Sequence, residues 1–86
     1  MSQTVRLHKS DNVVVAKTDI EGGTVITAEG VTAQADIPRG HKIATTAIAK
    51  DEAIVKYAQL IGFASRDIAS GDHVHTHNVM VKAFAR

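Results

Sequence analysis

The chain has no cysteine and no tryptophan, a single proline, and only three aromatic residues, Tyr57, Phe63 and Phe84, in 86 residues. The missing cysteine excludes disulfide scaffolds, thiolate-bound zinc and iron–sulfur clusters, and it fits a reducing compartment, so a cytoplasmic protein is expected. Charge of one sign is also lacking: ten Lys and Arg against nine Asp and Glu leave a net +1, and the cations are scattered. Without a basic stripe or stacking aromatics, no nucleic-acid partner is expected. No apolar run approaches the roughly 20 residues of a membrane span, and Met1 to Ser10 lacks the apolar core of a signal peptide, so no membrane partner is expected either. Length excludes a Rossmann enzyme, a kinase or a barrel enzyme, and residues 1–86 read as one small domain.

What is present points to short strands. Val13-Val14-Val15-Ala16 is too short for a helix and is rich in β-branched residues. Thr24-Val25-Ile26-Thr27 reads the same way, and Glu29-Gly30 marks a turn before Val31. An internal phrase recurs: Asp19-Ile20-Glu21-Gly22-Gly23 before Ile26, Asp36-Ile37-Pro38-Arg39-Gly40 before Ile43, and Asp67-Ile68-Ala69-Ser70-Gly71 before Val74. A degenerate copy, Ala47-Ile48-Ala49-Lys50-Asp51, precedes Ile54. Each copy reads as an apolar anchor, a tight turn at a residue that tolerates positive φ, and a strand re-entering the core. The leading isoleucines are 17, 11 and 20 residues apart, which excludes a solenoid of fixed period. The expected fold class is all-β, several short strands with at most one short helical turn, at 45–51.

Five histidines are present, three of them in His73-Val74-His75-Thr76-His77. Strict alternation on a strand places His73, His75 and His77 on one face and Val74 and Thr76 on the other. A pair of these rings with a third ligand from elsewhere, such as His41, suits a divalent metal; the alternative is a polar face in solvent. Arg39, His41 and Lys42 follow the proline turn and could hold a carboxylate, the alternative being a solvated hairpin turn. Lys56-Tyr57 offers an amine and a phenol, with Tyr57 read as core. His8 with Asp11-Asn12 is read as a plain strand-entry turn. No serine has the context of a nucleophile.

Taken in order, five phrases closely resemble the SAF domain of the altronate and galactarate dehydratases, and the small subunit of the related sulfolactate sulfo-lyases. They are His8 through Asp11-Asn12-Val13-Val14-Val15-Ala16; Asp36 through Gly40-His41-Lys42-Ile43-Ala44; Ile54-Val55-Lys56-Tyr57; Ile61-Gly62; and Gly71 through Asn78. The resemblance covers roughly residues 5–79. It implies a β-clip fold and a lyase that eliminates water from a sugar acid, or sulfite in the sulfo-lyases. It also implies a divalent metal, iron or manganese, held by this chain or by its partner. In most members the module precedes a large catalytic region, so a separately encoded small subunit with a large partner subunit is expected; a homo-oligomer is a further option. On this reading His41 and His75 are catalytic candidates, Arg39, Lys42 and Lys56 bind the sugar-acid or hydroxy-acid substrate, and His73, His75 and His77 hold metal.

One departure stands out. Where the family commonly has Gly-x-Pro after Lys-Tyr, this chain has Ala58-Gln59-Leu60, which changes the turn chemistry. Two functional classes are expected: an enzyme subunit, inactive without its large partner, or a non-catalytic module that binds a sugar acid or docks a partner. Related SAF domains occur in sialic-acid synthases and resemble type III antifreeze proteins, so fold alone does not decide.

Overall fold

Nine strands run in chain order through the computed structural model, which describes residues 3–81: β1 Thr4–Val5, β2 Val13–Ala16, β3 Val25–Ile26, β4 Val31–Thr32, β5 Lys42–Ala44, β6 Ala53–Lys56, β7 Gln59–Ala64, β8 His73–Val74 and β9 Val79–Met80. All pairings are antiparallel. They make a four-stranded sheet in the order β1-β2-β5-β8, a β3-β4 hairpin, and a three-stranded sheet in the order β6-β7-β9.

Among the described residues there is no helix. The turn of helix expected at 45–51 fails because its backbone donors are committed elsewhere. The Ile48 N–H goes to the Ile68 carbonyl (2.8 Å), the Ala49 N–H to the Glu52 carboxylate (2.7 Å), and Asp51 sits at φ 73, outside the right-handed helical region.

The repeated phrase explains the layout. Its four leading isoleucines pair two by two across isolated antiparallel bridges, Ile20 with Ile37 and Ile48 with Ile68. All four residues at its turn position, Gly23, Gly40, Asp51 and Gly71, have positive φ. The four aliphatics that close the phrase, Ile26, Ile43, Ile54 and Val74, are all essentially buried. Copies one and two build one apolar cluster around Ile20, Ile26, Ile37 and Ile43; copies three and four build a second around Ile48, Ile54, Ile68 and Val74. The central strands β2 and β5 serve both. Successive residues on a strand face opposite ways, so Val14 and Ile43 enter the first cluster while Val13 and Ala44 enter the second.

Candidate functional site

The site forms where β5 meets β8. Their register pairs Ile43 with His73 and Lys42 with Val74. One further step sets His41 opposite His75, and directly opposed residues share a face. The rings follow: the His41 and His75 centroids are 4.1 Å apart and stacked, and His41 Nδ1 lies 2.8 Å from His73 Nε2. One nitrogen from each of His41, His73 and His75 falls within 4.8 Å of the other two, and all three residues are half-buried.

The strand expected over 73–77 stops at Val74, and residues 75–78 form a turn. Asn78 makes it. Its side-chain oxygen accepts from the His75 N–H (3.0 Å), its amide donates to the His73 carbonyl (2.8 Å), and its own N–H donates to the His75 carbonyl (3.1 Å). Asn is a residue whose side chain competes with ladder hydrogen bonds in this way. The alternation therefore fails beyond His75. His77 is exposed and tilts over His73, with centroids 5.2 Å apart. It shares a separate depression with Arg66, Asp67 and Asp72. The convergent group is thus His41, His73 and His75, with His77 outside it.

Burial and neighbouring positive charge lower two rings of the cluster. Desolvation, then the fields of His41 and His77, hold His73 below the ordinary histidine range. His75 is lowered by desolvation and by His41 and Lys42. Both rings are therefore biased to the neutral form, the form that ligates metal or accepts a proton.

His75 also reaches an adjoining cleft of about 410 Å³, lined by Lys42, Lys56 and the apolar side chains of Ile61, Val79 and Val81. Burial and the charge of Lys56 lower the Lys42 ammonium from its usual value. Arg39 is exposed and does not line this cleft; its backbone N–H donates to Asp19 (2.8 Å), which fixes the proline turn.

Two readings of polar and aromatic residues need correction. Tyr57 is not core: it is 65% exposed at the tip of the β6–β7 hairpin. Asp11 is more than a turn residue. It is buried, and its carboxylate accepts the N–H groups of Tyr57 and Ala58, each at 2.7 Å. Desolvation opposes its ionisation, but the N–H groups of Ala58, Tyr57 and His8 outweigh it and keep the carboxyl below its ordinary range. Asn12 continues the tie by bonding Val55 N–H (2.8 Å) and the Ala53 carbonyl (2.9 Å). The available signal is an acidic residue one position removed from a wholly apolar run, Val13 to Ala16, where an ionised side chain needs partners.

The sequence pattern of the altronate/galactarate dehydratase SAF domain matches residues 2–82. The altronate dehydratase of Bacillus subtilis is 46% identical over 80 residues, covering 91% of this chain and 16% of that protein. The Escherichia coli altronate dehydratase is 46% identical over 78 residues, covering 88% of this chain and again 16% of the relative. The (2R)-sulfolactate sulfo-lyase subunit alpha of Chromohalobacter salexigens is 36% identical over 92 residues, covering 95% of this chain and 98% of that subunit. The chain therefore spans only a small part of the altronate dehydratases it matches. With the match running through both halves of the repeat and through the histidine cluster, the chain belongs to the SAF-domain family of altronate and galactarate dehydratases.

Proposed function

We propose that the chain is the small-subunit component of a lyase of the altronate/galactarate dehydratase type, acting in the β-elimination of water from a sugar acid. The observation that carries this reading is the convergence of His41, His73 and His75 beside a cationic cleft, in a domain of that family. Elimination from a hydroxy acid needs a base for the proton next to the carboxylate, stabilisation of the resulting enediolate, and assistance to the departing hydroxide. In the metal-free site His75, lowered in pKa and placed between the cluster and the cleft, is suited to take up a proton at a ring nitrogen, with His41 stacked against it. With an ion bound, the same ring serves as a ligand and the proton must be taken by a group of the partner subunit. Lys42 and Lys56 balance the charge of an acid in the cleft. The open cleft cannot surround a six-carbon acid, so a large partner subunit supplies the remaining walls. A cytoplasmic location accompanies this reading.

The donor set fits a divalent ion. Tetrahedral ligands at ~2.0–2.1 Å from a metal stand roughly 3.3 Å apart, and the separations here run from 2.8 Å for one pair to no more than 4.8 Å for any. His41, His73 and His75 would hold the ion. Three imidazoles suit iron better than manganese, which favours oxygen donors. Bound there, the ion would supply Lewis-acid assistance to the leaving group.

A second reading is the alpha subunit of a sulfolactate sulfo-lyase, releasing sulfite. It is favoured by the match to 98% of such a subunit's length.

Reconstitution with the large subunit tests both. Turnover of altronate or galactarate supports the first reading, and sulfite release from sulfolactate the second. No turnover of any of these acids, or full activity in His75→Ala, would overturn the catalytic reading in favour of a binding or docking module. Iron(II) titration supplies an independent readout: His41→Ala and His75→Ala should lose the ion and His77→Ala should keep it.

A further inference from the structure

We infer that the cleft between Lys42 and Lys56 is a recognition subsite for a small oxyanion, the carboxylate or sulfonate head of an acid, and that this chain binds it without a partner. Lys42, Lys56 and His75 face the cleft together with the apolar Ile61, Val79 and Val81, and no carboxylate lines it. Among the described residues neither ammonium has a hydrogen-bond or ion-pair partner; the salt bridge they contain joins Arg6 to Glu29. Two cations held in one cleft without a counter-charge repel each other, and a bound anion relieves that repulsion. The half-buried Ile61 and Val79 give the cleft part of an apolar wall, beside which charge is screened less than in bulk water.

Both cations stand on fixed supports. Lys42 lies on β5, which is paired on both edges, with β2 and with β8. Lys56 is the last residue of β6, and the two residues after it, Tyr57 and Ala58, are locked by the Asp11 carboxylate. Both turn residues have positive φ, at 57° and 60°. Non-glycine backbone in that region persists only where its surroundings over-determine it, and such strain gathers at binding sites. Asp11 is accordingly a positioning residue for Lys56. An anion seated between the lysines lies against His75, which connects the subsite to the histidine cluster. The role of the subsite in turnover rests on the lyase reading; the binding itself does not.

The test uses the isotopically labelled chain, freed of metal on a chelating resin and titrated separately with sodium acetate and sodium sulfate at constant ionic strength, followed by amide NMR. The expected result is saturable shifts centred on Lys42, Lys56 and His75, with affinity about tenfold weaker in Lys56→Gln and in Lys42→Gln. Lys42→Arg should retain binding, and the exposed Lys50→Gln should match the parent. Tighter binding of acetate assigns a carboxylate and tighter binding of sulfate a sulfonate; either supports the subsite. Linear, unsaturated shifts spread over all lysines, or an equal effect of Lys50→Gln, would overturn it. If Lys42→Gln does not fold, Lys56→Gln and Lys42→Arg still decide. Saturable anion binding without turnover in any reconstituted complex rejects the lyase reading and leaves the subsite standing.

Discussion

Ile20 and Ile37 exchange both backbone hydrogen bonds of a single antiparallel bridge, at 2.9 and 2.7 Å, and Ile48 and Ile68 make the same exchange at 2.8 Å in each direction. The aspartates before them reinforce the pairing. Asp19 accepts from the Arg39 N–H (2.8 Å), Asp36 from the Gly22 N–H (2.9 Å), and Asp67 from the Lys50 N–H (2.9 Å). The fourth position is Ala47, so the corresponding donor, the Ser70 N–H, has no aspartate to meet. Ala47→Asp should complete the set. We expect about 0.5–1 kcal/mol of added stability, the net worth of an ordinary hydrogen bond. Urea denaturation checks it; an unchanged or lower midpoint would show that the two halves are less alike than the bridges imply.

The hairpin turn at Tyr57 and Ala58 places two side-chain-bearing residues in the left-handed region favoured by Asn-Gly. Ala58→Gly removes the strain at one of them. Relief of about 1–2 kcal/mol, less the entropy of a freer unfolded chain, should leave a net gain of about 0.5–1 kcal/mol. Asp11→Ala should lower the midpoint, because two buried N–H groups lose their acceptor. The loss should be smaller when combined with Ala58→Gly. The folded carboxyl sits below its ordinary range, so its contribution is present above the usual carboxylate pKa and fades as pH falls through the lowered folded value.

Gly71 and Gly40 occupy equivalent positions in the repeat, at φ +89 and +85, but differ in their neighbours. A Cβ at Gly40 meets nothing within 4 Å, whereas at Gly71 it would fall on the Thr32 carbonyl oxygen. Gly40→Ala should therefore cost only the backbone strain, about 1–2 kcal/mol. Gly71→Ala must also part the turn from Thr32 of β4 and from the segment just after it, where the Gln34 N–H bonds the Gly71 carbonyl at 3.0 Å, and should cost about 3 kcal/mol or more. Equal losses on thermal melting would refute the close approach.

The repeat was legible because its signals are local. An Ile, a residue tolerant of positive φ and an aliphatic at fixed offsets report a turn and a return to the core, and that held even where Asp51 replaced glycine. Asp11 was misread for the opposite reason: its partners, Tyr57 and Ala58, lie 46 and 47 positions away, and no short-range pattern encodes them. The histidine strand was half legible. Alternation brought His73 and His75 together, but it could not register that Asn78 bends the chain after Val74. The lysine cleft depends on sheet register, which brings Lys42 and Lys56 together only after the long-range β2-β5-β8 pairings and the β6-β7 hairpin have formed.

His73 and His75 are held below the ordinary histidine range by burial first and by neighbouring cations second. In the unfolded chain they take up protons near pH ~6.5. Between that value and their lowered folded values the unfolded state binds more protons than the folded one, so stability rises with pH across the window. The metal-free protein should melt at a lower temperature at pH 5.5 than at pH 7.5. His73→Gln should flatten the dependence, since it removes one of the two groups. A melting temperature that rises on acidification would contradict the lowered values of His73 and His75.

Val13 and Val14 are successive residues of one strand, yet each belongs to a different apolar cluster, and Ile43 and Ala44 repeat this on the facing strand. Neither half of the protein owns a complete enclosure; the two share a dividing wall. Opening one half strips the wall that shields the other, so a local breach cannot stay local. The repeat has the look of two independent units, but its thermodynamics should be those of one. Slowest-exchanging amides on β2 and β5, all lost together in a single transition, are the signature of that shared partition.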